Sequence, residues 1–97
     1  MGFSVVRSTT FFRWLKGLRD KRAQARIIVR IDRIEEGNFG DHRTVGKGVS
    51  EMRIPVGKGY RVYYTIRKMT VVILLCGGAK SSQTRDIRRA HQMAGEL

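Results

Sequence analysis

The spacing of hydrophobic residues changes near the middle of this chain, and that change most narrows the folds it can adopt. In the first third, apolar residues recur every three or four positions, as at Ala23, Ile27 and Ile31, which indicates an amphipathic helix. Further on, polar and apolar residues alternate along Glu51–Ile54 and Tyr60–Arg67, which indicates half-buried strands. Helices followed by a run of strands predict an α+β domain.

Capping residues, glycines and a proline divide the chain into predicted elements. In order, these are a strand over Phe3–Ser8, a helix from near Phe11 capped by Thr9 or Thr10, a helix after the N-cap Asp20, strands over Glu51–Ile54, Tyr60–Arg67 and Val71–Cys76, and a helix beginning at Ser81 or Ser82. We interpret Gly37–Gly48 as a glycine-rich connection and Gly77-Gly78 as the end of the preceding strand. The prediction is one domain, residues 1–97, of order β-α-α-β-β-β-α, with helices packed on one face of a mostly antiparallel sheet.

A large positive charge narrows the class of partner. The 97 residues include 20 Lys and Arg against 8 Asp and Glu, a net charge of +12. Such an excess costs self-repulsion and indicates a polyanionic partner, with nucleic acid the leading candidate. The arginines of the second predicted helix fit either a solvated helix face or an electrostatic track for a nucleic-acid backbone; they are Arg22, Arg26, Arg30 and Arg33.

Cysteine usage and hydropathy indicate a compartment. Cys76 is the only cysteine, so no intramolecular disulfide is possible, as suits a reducing cytoplasm. We expect it to be a small buried residue rather than a nucleophile. The longest apolar run is far too short to span a bilayer, and Met1–Ser8 lacks the pattern of a secretory signal. These features predict a soluble cytoplasmic protein that does not engage a membrane.

Alternation along the strands places several polar side chains on one face of the predicted sheet. Glu51, Arg53, Arg61 and Tyr63 fall on the face that the helices are expected to leave uncovered, and Lys80 follows the last strand nearby. Arginine binds two phosphate oxygens through a planar fork, and several cations together stabilise the extra charge of a pentavalent phosphorane. The set predicts a phosphate site; the alternative is a solvated sheet face with cross-strand charge pairs.

The two histidines give no pattern of metal ligands. His42 and His91 lie far apart in sequence, without a carboxylate cluster or a cysteine pair, so no metal site is predicted. His42 is expected at the surface. His91 lies on the apolar side of the last helix, where it is either a packed helix residue or a general acid or base at the edge of the polar sheet face.

Several short motifs follow one another along nearly the whole chain. They are Gly37–Asp41, Val45–Ile54, Gly59–Tyr64, Leu75–Gln83, and Asp86-Ile87 with Ala90. On these motifs the chain resembles the RelE/ParE toxin superfamily, in its HigB-like branch of addiction-module killer proteins, also described as phage Gp49-like. The resemblance implies the superfamily's order of strands and helices, which agrees with the order predicted from periodicity.

The resemblance further implies the toxin of a type II toxin–antitoxin system that cleaves mRNA in the ribosomal A site. In RelE-like members the 2′-hydroxyl attacks the adjacent phosphate, and no metal or other cofactor is needed. Arg61 matches the arginine of the Gly-Tyr-Arg motif, Arg53 matches a basic residue on the preceding strand, and Lys80 lies near where the family carries another. The implied partners are the ribosome, mRNA and a cognate antitoxin, usually a small helix-turn-helix protein.

Four further residues are expected to contact the RNA. Tyr63 can stack on a base or donate its hydroxyl, and Arg67 shares the strand face of Arg61. Lys58 and Lys47 each lie between two glycines in a connecting segment.

Two departures from the family pattern leave the chemistry open. RelE has a second basic residue where this chain has Glu51, and a C-terminal tyrosine for which Asp86-Ile87 offers no hydroxyl. Glu51 or His91 is then the candidate general base, or no acid–base group is present. The ParE branch shares the fold and poisons DNA gyrase, so the alternatives are a non-catalytic gyrase poison, or a degenerate member that only binds antitoxin or nucleic acid.

Overall fold

The computed structural model describes residues 2–97, which form five strands and three helices. The elements are β1 (Ser4–Arg7), α1 (Thr9–Lys16), α2 (Lys21–Ile34), β2 (His42–Gly46), β3 (Val49–Ile54), β4 (Tyr60–Arg67), β5 (Val71–Ala79), a 3₁₀ turn (Lys80–Ser82) and α3 (Gln83–Gly95). The strands form one sheet of order β1-β5-β4-β3-β2, in which β1 is parallel to β5 and the other neighbours are antiparallel. The predicted α+β class with a mostly antiparallel sheet is confirmed.

Side-chain caps fix where the first two helices begin. Asp20 accepts a hydrogen bond from the backbone N–H of Ala23 at 3.0 Å, so the predicted N-cap of α2 is confirmed. The N-cap of α1 is Ser8 rather than Thr9 or Thr10, because the Ser8 hydroxyl accepts from the Phe11 N–H at 3.0 Å. The same hydroxyl donates to the Leu75 carbonyl at 2.8 Å and so fastens the start of α1 to β5.

The glycine-rich segment contains a strand that the sequence did not indicate. We expected a connection over Gly37–Gly48, but β2 lies within it and pairs with β3 along the sheet edge. The two strands are joined through Lys47 and Gly48, whose φ angles of 54° and 74° are those of a type I′ turn. Most side chains of β2 are exposed, so this edge strand lacks the apolar alternation that reveals a half-buried one.

The helices cover both faces of the sheet, which corrects the expectation that they pack on one face only. One core joins α1 and α2 to the sheet face carrying Met52, Val62 and Tyr64. A second, smaller core joins Ala90 and Ala94 of α3 to the opposite face. The sheet face that was expected to be open is therefore partly covered by α3.

The last strand is longer than predicted and irregular. Gly77 and Gly78 do not end β5, which continues through them to Ala79. A Cβ on Gly77 would lie 2.3 Å from the Trp14 ring, and a Cβ on Gly78 would lie 1.9 Å from an Asp86 carboxylate oxygen. The glycines are present because α1 and α3 approach the strand closely from opposite faces. Two residues before Gly77, Leu75 forms a bulge.

Candidate functional site

The three cations predicted to act together line one groove at the end of the sheet. Arg53 comes from the end of β3, Arg61 from the start of β4, and Lys80 from the 3₁₀ turn after β5. The groove has a volume of about 400 Å³, and its other walls are Asp41, Ile54, Pro55, Gly59 and Tyr60. We call it the arginine groove.

Arg53 and Arg61 are paired directly across β3 and β4. Like charges opposite each other on neighbouring strands destabilise a sheet unless other groups compensate them. Each arginine has an acidic partner: Arg53 Nη2 lies 2.9 Å from Asp41 Oδ1, and Arg61 Nη1 lies 3.3 Å from Glu51 Oε2. The Arg61 side chain is only 11% exposed, against 44% for Arg53, so Arg61 is held more rigidly at the wall of the groove.

Glu51 is a fully buried carboxylate that collects hydrogen bonds from four side chains. Its Oε1 accepts from Arg43 Nε at 3.0 Å. Its Oε2 accepts from Gln83 Nε2 at 2.9 Å, from Tyr63 Oη at 3.0 Å and from Arg61 Nη1 at 3.3 Å. Burial acts to raise the pKa of Glu51, but these hydrogen bonds and the positive charges outweigh it and hold the pKa below its usual value. Glu51 is therefore ionised, and its acceptor positions are already engaged.

Tyr63 is buried and helps to hold Glu51, the carboxylate that binds Arg61. Its side chain is 0% exposed, because α3 covers this face of the sheet. Burial and the neighbouring Glu51 carboxylate raise the pKa of Tyr63 above its usual value. The expectation that Tyr63 stacks on an RNA base is therefore wrong for this conformation, since no face of the ring is open.

Sequence reasoning missed two of the residues that hold Glu51. Arg43 lies on the unpredicted strand β2, directly opposite Glu51 in the register. Gln83 is the first residue of α3 and reaches Glu51 only because α3 crosses this face. Once β2 is recognised as a strand, an arginine opposite a glutamate predicts the Arg43–Glu51 ion pair. No local pattern in the sequence predicts the contact between Gln83 and Glu51.

The remaining predicted site residues lie outside the arginine groove. His91 Nε2 donates to the Val45 carbonyl at 2.9 Å and so ties α3 to the end of β2. Arg67 Nη2 donates to the Ala94 carbonyl at 2.8 Å in the last turn of α3. Lys47 is exposed in the β2–β3 turn, and Lys58 is exposed in the β3–β4 connection, beside the groove.

The arginines of α2 border a second groove, of about 480 Å³. Arg22, Arg26 and Arg33 are exposed along it, as both interpretations of this helix require. Arg30 instead donates to the carbonyls of Arg53, at 2.7 Å, and Phe39, at 3.1 Å. Arg30 thereby fixes the backbone at one wall of the arginine groove.

Within residues 2–97, no three His, Cys, Asp or Glu side chains come together as a metal site would require. In the same part of the chain, no helix is long and apolar enough to cross a membrane.

Comparison with known proteins places the chain in a family. The model of the family described as "Phage derived protein Gp49-like (DUF891)" matches residues 13–94. The chain belongs to the Gp49-like family. An uncharacterized protein of Haemophilus influenzae is 46% identical to this Gp49-like protein over 97 residues, covering 100% of the chain and 98% of that protein.

Solved structures relate the Gp49-like fold to RelE. A free-state mutant of the E. coli toxin RelE matches with a TM-score of 0.73, covering 100% of this chain and 99% of that one at 12% identity. The toxin–antitoxin complex RelBE2 of Mycobacterium tuberculosis gives a TM-score of 0.61, covering 82% of this chain and 100% of that one at 24% identity. The predicted RelE-like fold is confirmed.

Proposed function

We propose that this Gp49-like protein is the toxin of a toxin–antitoxin system and cleaves mRNA on the ribosome in the cytoplasm. The observation that carries the proposal is the convergence of Arg53, Arg61 and Lys80 on one groove. The fold supports it, because structures similar to this one include a RelE toxin and a toxin–antitoxin complex. Its other partner would be a cognate antitoxin, expected to be a small helix-turn-helix protein.

The groove offers what phosphate chemistry needs. In the proposed reaction the 2′-oxygen of a nucleotide bonds to the adjacent phosphorus, and the bond from phosphorus to the 5′-oxygen breaks. The products are a 2′,3′-cyclic phosphate and a 5′-hydroxyl; the 2′-hydroxyl gives up its proton and the 5′-oxygen gains one. The phosphorane between them carries an additional negative charge, which Arg61, Arg53 and Lys80 would stabilise.

The roles of the other predicted site residues follow from their contacts. Glu51 is buried and bound by four donors, so we assign it to positioning Arg61 rather than to accepting a proton from RNA. His91 is engaged with Val45 and does not line the groove. The proposed rate enhancement therefore comes from positioning and charge stabilisation, with the protons exchanged through water.

Lys58, Lys47 and Arg67 remain proposed contacts for the RNA backbone. Lys58 is the best placed, because the Lys80 N–H donates to its carbonyl at 3.4 Å beside the groove. Lys47 and Arg67 would contribute only through long-range attraction or on a different part of the ribosome.

Primer extension on ribosome-bound mRNA after induction of the protein tests the proposal. We expect new 5′ ends within codons and arrested growth for the natural sequence, and neither for Arg61→Ala. Arg88→Ala is the matched control, because it removes the same charge from an exposed position on α3. Intact mRNA together with inhibited supercoiling by gyrase would instead establish a ParE-like poison.

A further inference from the structure

A third pocket lies beside the arginine groove, and the segment 58–60 contributes residues to both. It has a volume of about 500 Å³, within the range of small-ligand sites, and Trp14, Leu18, Arg19, Asp20, Lys58 and Tyr60 are among its walls. We call it the Trp14 pocket. Tyr60 lines both this pocket and the arginine groove, so the two are neighbours at the same end of the sheet.

The Trp14 pocket has an aromatic wall that is fixed in place. The six-membered ring of Trp14 packs against Gly77 of β5, so closely that a Cβ there would lie 2.3 Å from the ring. Trp14 also meets Tyr60 edge-on, with 6.2 Å between ring centroids, and Phe11 at 5.7 Å. Only part of the indole remains for a ligand, and that part is held rigidly by these three neighbours.

The pocket presents one open hydrogen-bond acceptor. Asp20 uses Oδ1 to cap α2, while Oδ2 makes no hydrogen bond within residues 2–97. Asp20 Oδ2 lies 2.7 Å from where a Cβ on Gly57 would stand, so the glycine keeps this side of the pocket open.

An aromatic surface beside a carboxylate acceptor matches the chemistry of a nucleobase. Proteins bind the bases of single-stranded RNA by stacking them on aromatic side chains and by hydrogen bonds to their edges. The exposed cations at the rim, Arg19 and Lys58, suit the attached sugar-phosphate backbone.

We propose that the Trp14 pocket receives the base of the nucleotide next to the phosphate in the arginine groove. The inference rests on the proposed function, because it needs an RNA strand in that groove. The strand crosses the segment 58–60, and its base meets Trp14 and Asp20. The Asp20 carboxylate accepts readily from the projecting exocyclic amino groups of adenine, cytosine and guanine. The N3–H of uracil lies between two carbonyl oxygens that repel a carboxylate, so the pocket prefers the amino-bearing bases over uracil.

Trp14 is the only tryptophan of the chain and lines this pocket, so its fluorescence responds to a base stacked there. The ligands are short oligomers of dA, dC or dU and an abasic oligomer of equal length, all lacking the 2′-hydroxyl that cleavage requires. Binding is followed by fluorescence anisotropy of an end label, independently of Trp14 emission. We expect dA and dC oligomers to quench Trp14 and to bind about fivefold or more tightly than dU, as one base contact contributes. The abasic oligomer binds without quenching.

Asp20→Asn is the matched variant, because asparagine caps helices as well as aspartate does but removes the carboxylate charge. Its melting temperature should stay unchanged, while the preference for dA and dC over dU falls to less than about twofold. Oligomers that bind without quenching Trp14, or an undiminished preference in Asp20→Asn, would overturn the pocket and leave the proposed function standing. If no oligomer binds, or if Arg61→Ala binds all of them equally well, the phosphate groove fails and the pocket fails with it.

Discussion

Arg53 and Arg61 face each other across β3 and β4, and their cationic side chains line the same groove. Each arginine has one acidic partner, Asp41 for Arg53 and Glu51 for Arg61. Lys80 adds a third cation to the groove. The arrangement therefore favours an anion that would relieve the repulsion among the three.

Inorganic phosphate should stabilise the folded protein through this groove. A ligand that binds only the folded state raises stability by about 2.7 kcal/mol at one hundred times its dissociation constant. We expect the melting temperature to rise with phosphate well beyond the rise in sodium chloride of equal ionic strength. Arg61→Ala should abolish the difference, and Arg88→Ala should retain it. An equal response to both salts in the natural sequence would show that the groove does not select phosphate.

Replacing Glu51 with glutamine should weaken the fold and its groove together. Arg61 is largely buried, and loss of a charged hydrogen-bond partner at such a position costs about 1.5–3 kcal/mol. We therefore expect a lower unfolding free energy in Glu51→Gln at pH 7 by urea denaturation, and weaker binding of the abasic oligomer. Glu36→Gln, on an exposed residue, should change neither.

The loss of folding stability at acidic pH should include a contribution from Glu51. Its pKa is lowered in the folded protein, so its contribution is present above the unfolded pKa of about 4.3 and is lost as pH falls through the folded value. In Glu51→Gln that part of the pH dependence should be missing, so the two curves converge at low pH. Parallel curves from pH 7 to pH 2 would contradict the lowered pKa.

Gly78→Ala should be strongly destabilising, because the new Cβ would lie 1.9 Å from Asp86 Oδ2 and 2.9 Å from Ser82 Oγ. Either α3 or β5 must move, and overpacking of this kind costs typically about 1–3 kcal/mol. Thermal unfolding is the measurement. Gly95→Ala, at the end of α3 with nothing within 4 Å, should instead be neutral or stabilising by up to about 1 kcal/mol.

Cys76 should be inert in the native protein. Burial, with the nearby Asp86 carboxylate, raises the pKa of the Cys76 thiol to about 12. At pH 8 the thiol should react with a disulfide reagent only as fast as the protein unfolds, and at the rate of a free thiol in guanidinium. Rapid native labelling would show that the thiol is accessible.

The sequence predicted much of the fold through local patterns. The bounds of β4 are those expected from alternation, and Asp20 begins α2 as its N-cap residue type indicated. β2 was missed because an exposed edge strand carries no apolar alternation. Gly77-Gly78 was misinterpreted because glycine serves close packing as well as turns, and only the neighbouring Trp14 and Asp86 distinguish the two uses.

The candidate site, like the fold, was predicted in part from local patterns and in part only by the tertiary structure. The sequence by itself determined that Arg53 and Arg61 share a sheet face, because side chains alternate along a strand, and the motif supplied Lys80. Only the tertiary structure decided that α3 covers that face, burying Tyr63 and bringing Gln83 to Glu51. The apolar stripe of a helix shows which side of the helix is buried, but not which face of the sheet it meets. That choice depends on contacts between residues far apart in the chain, which no local pattern records.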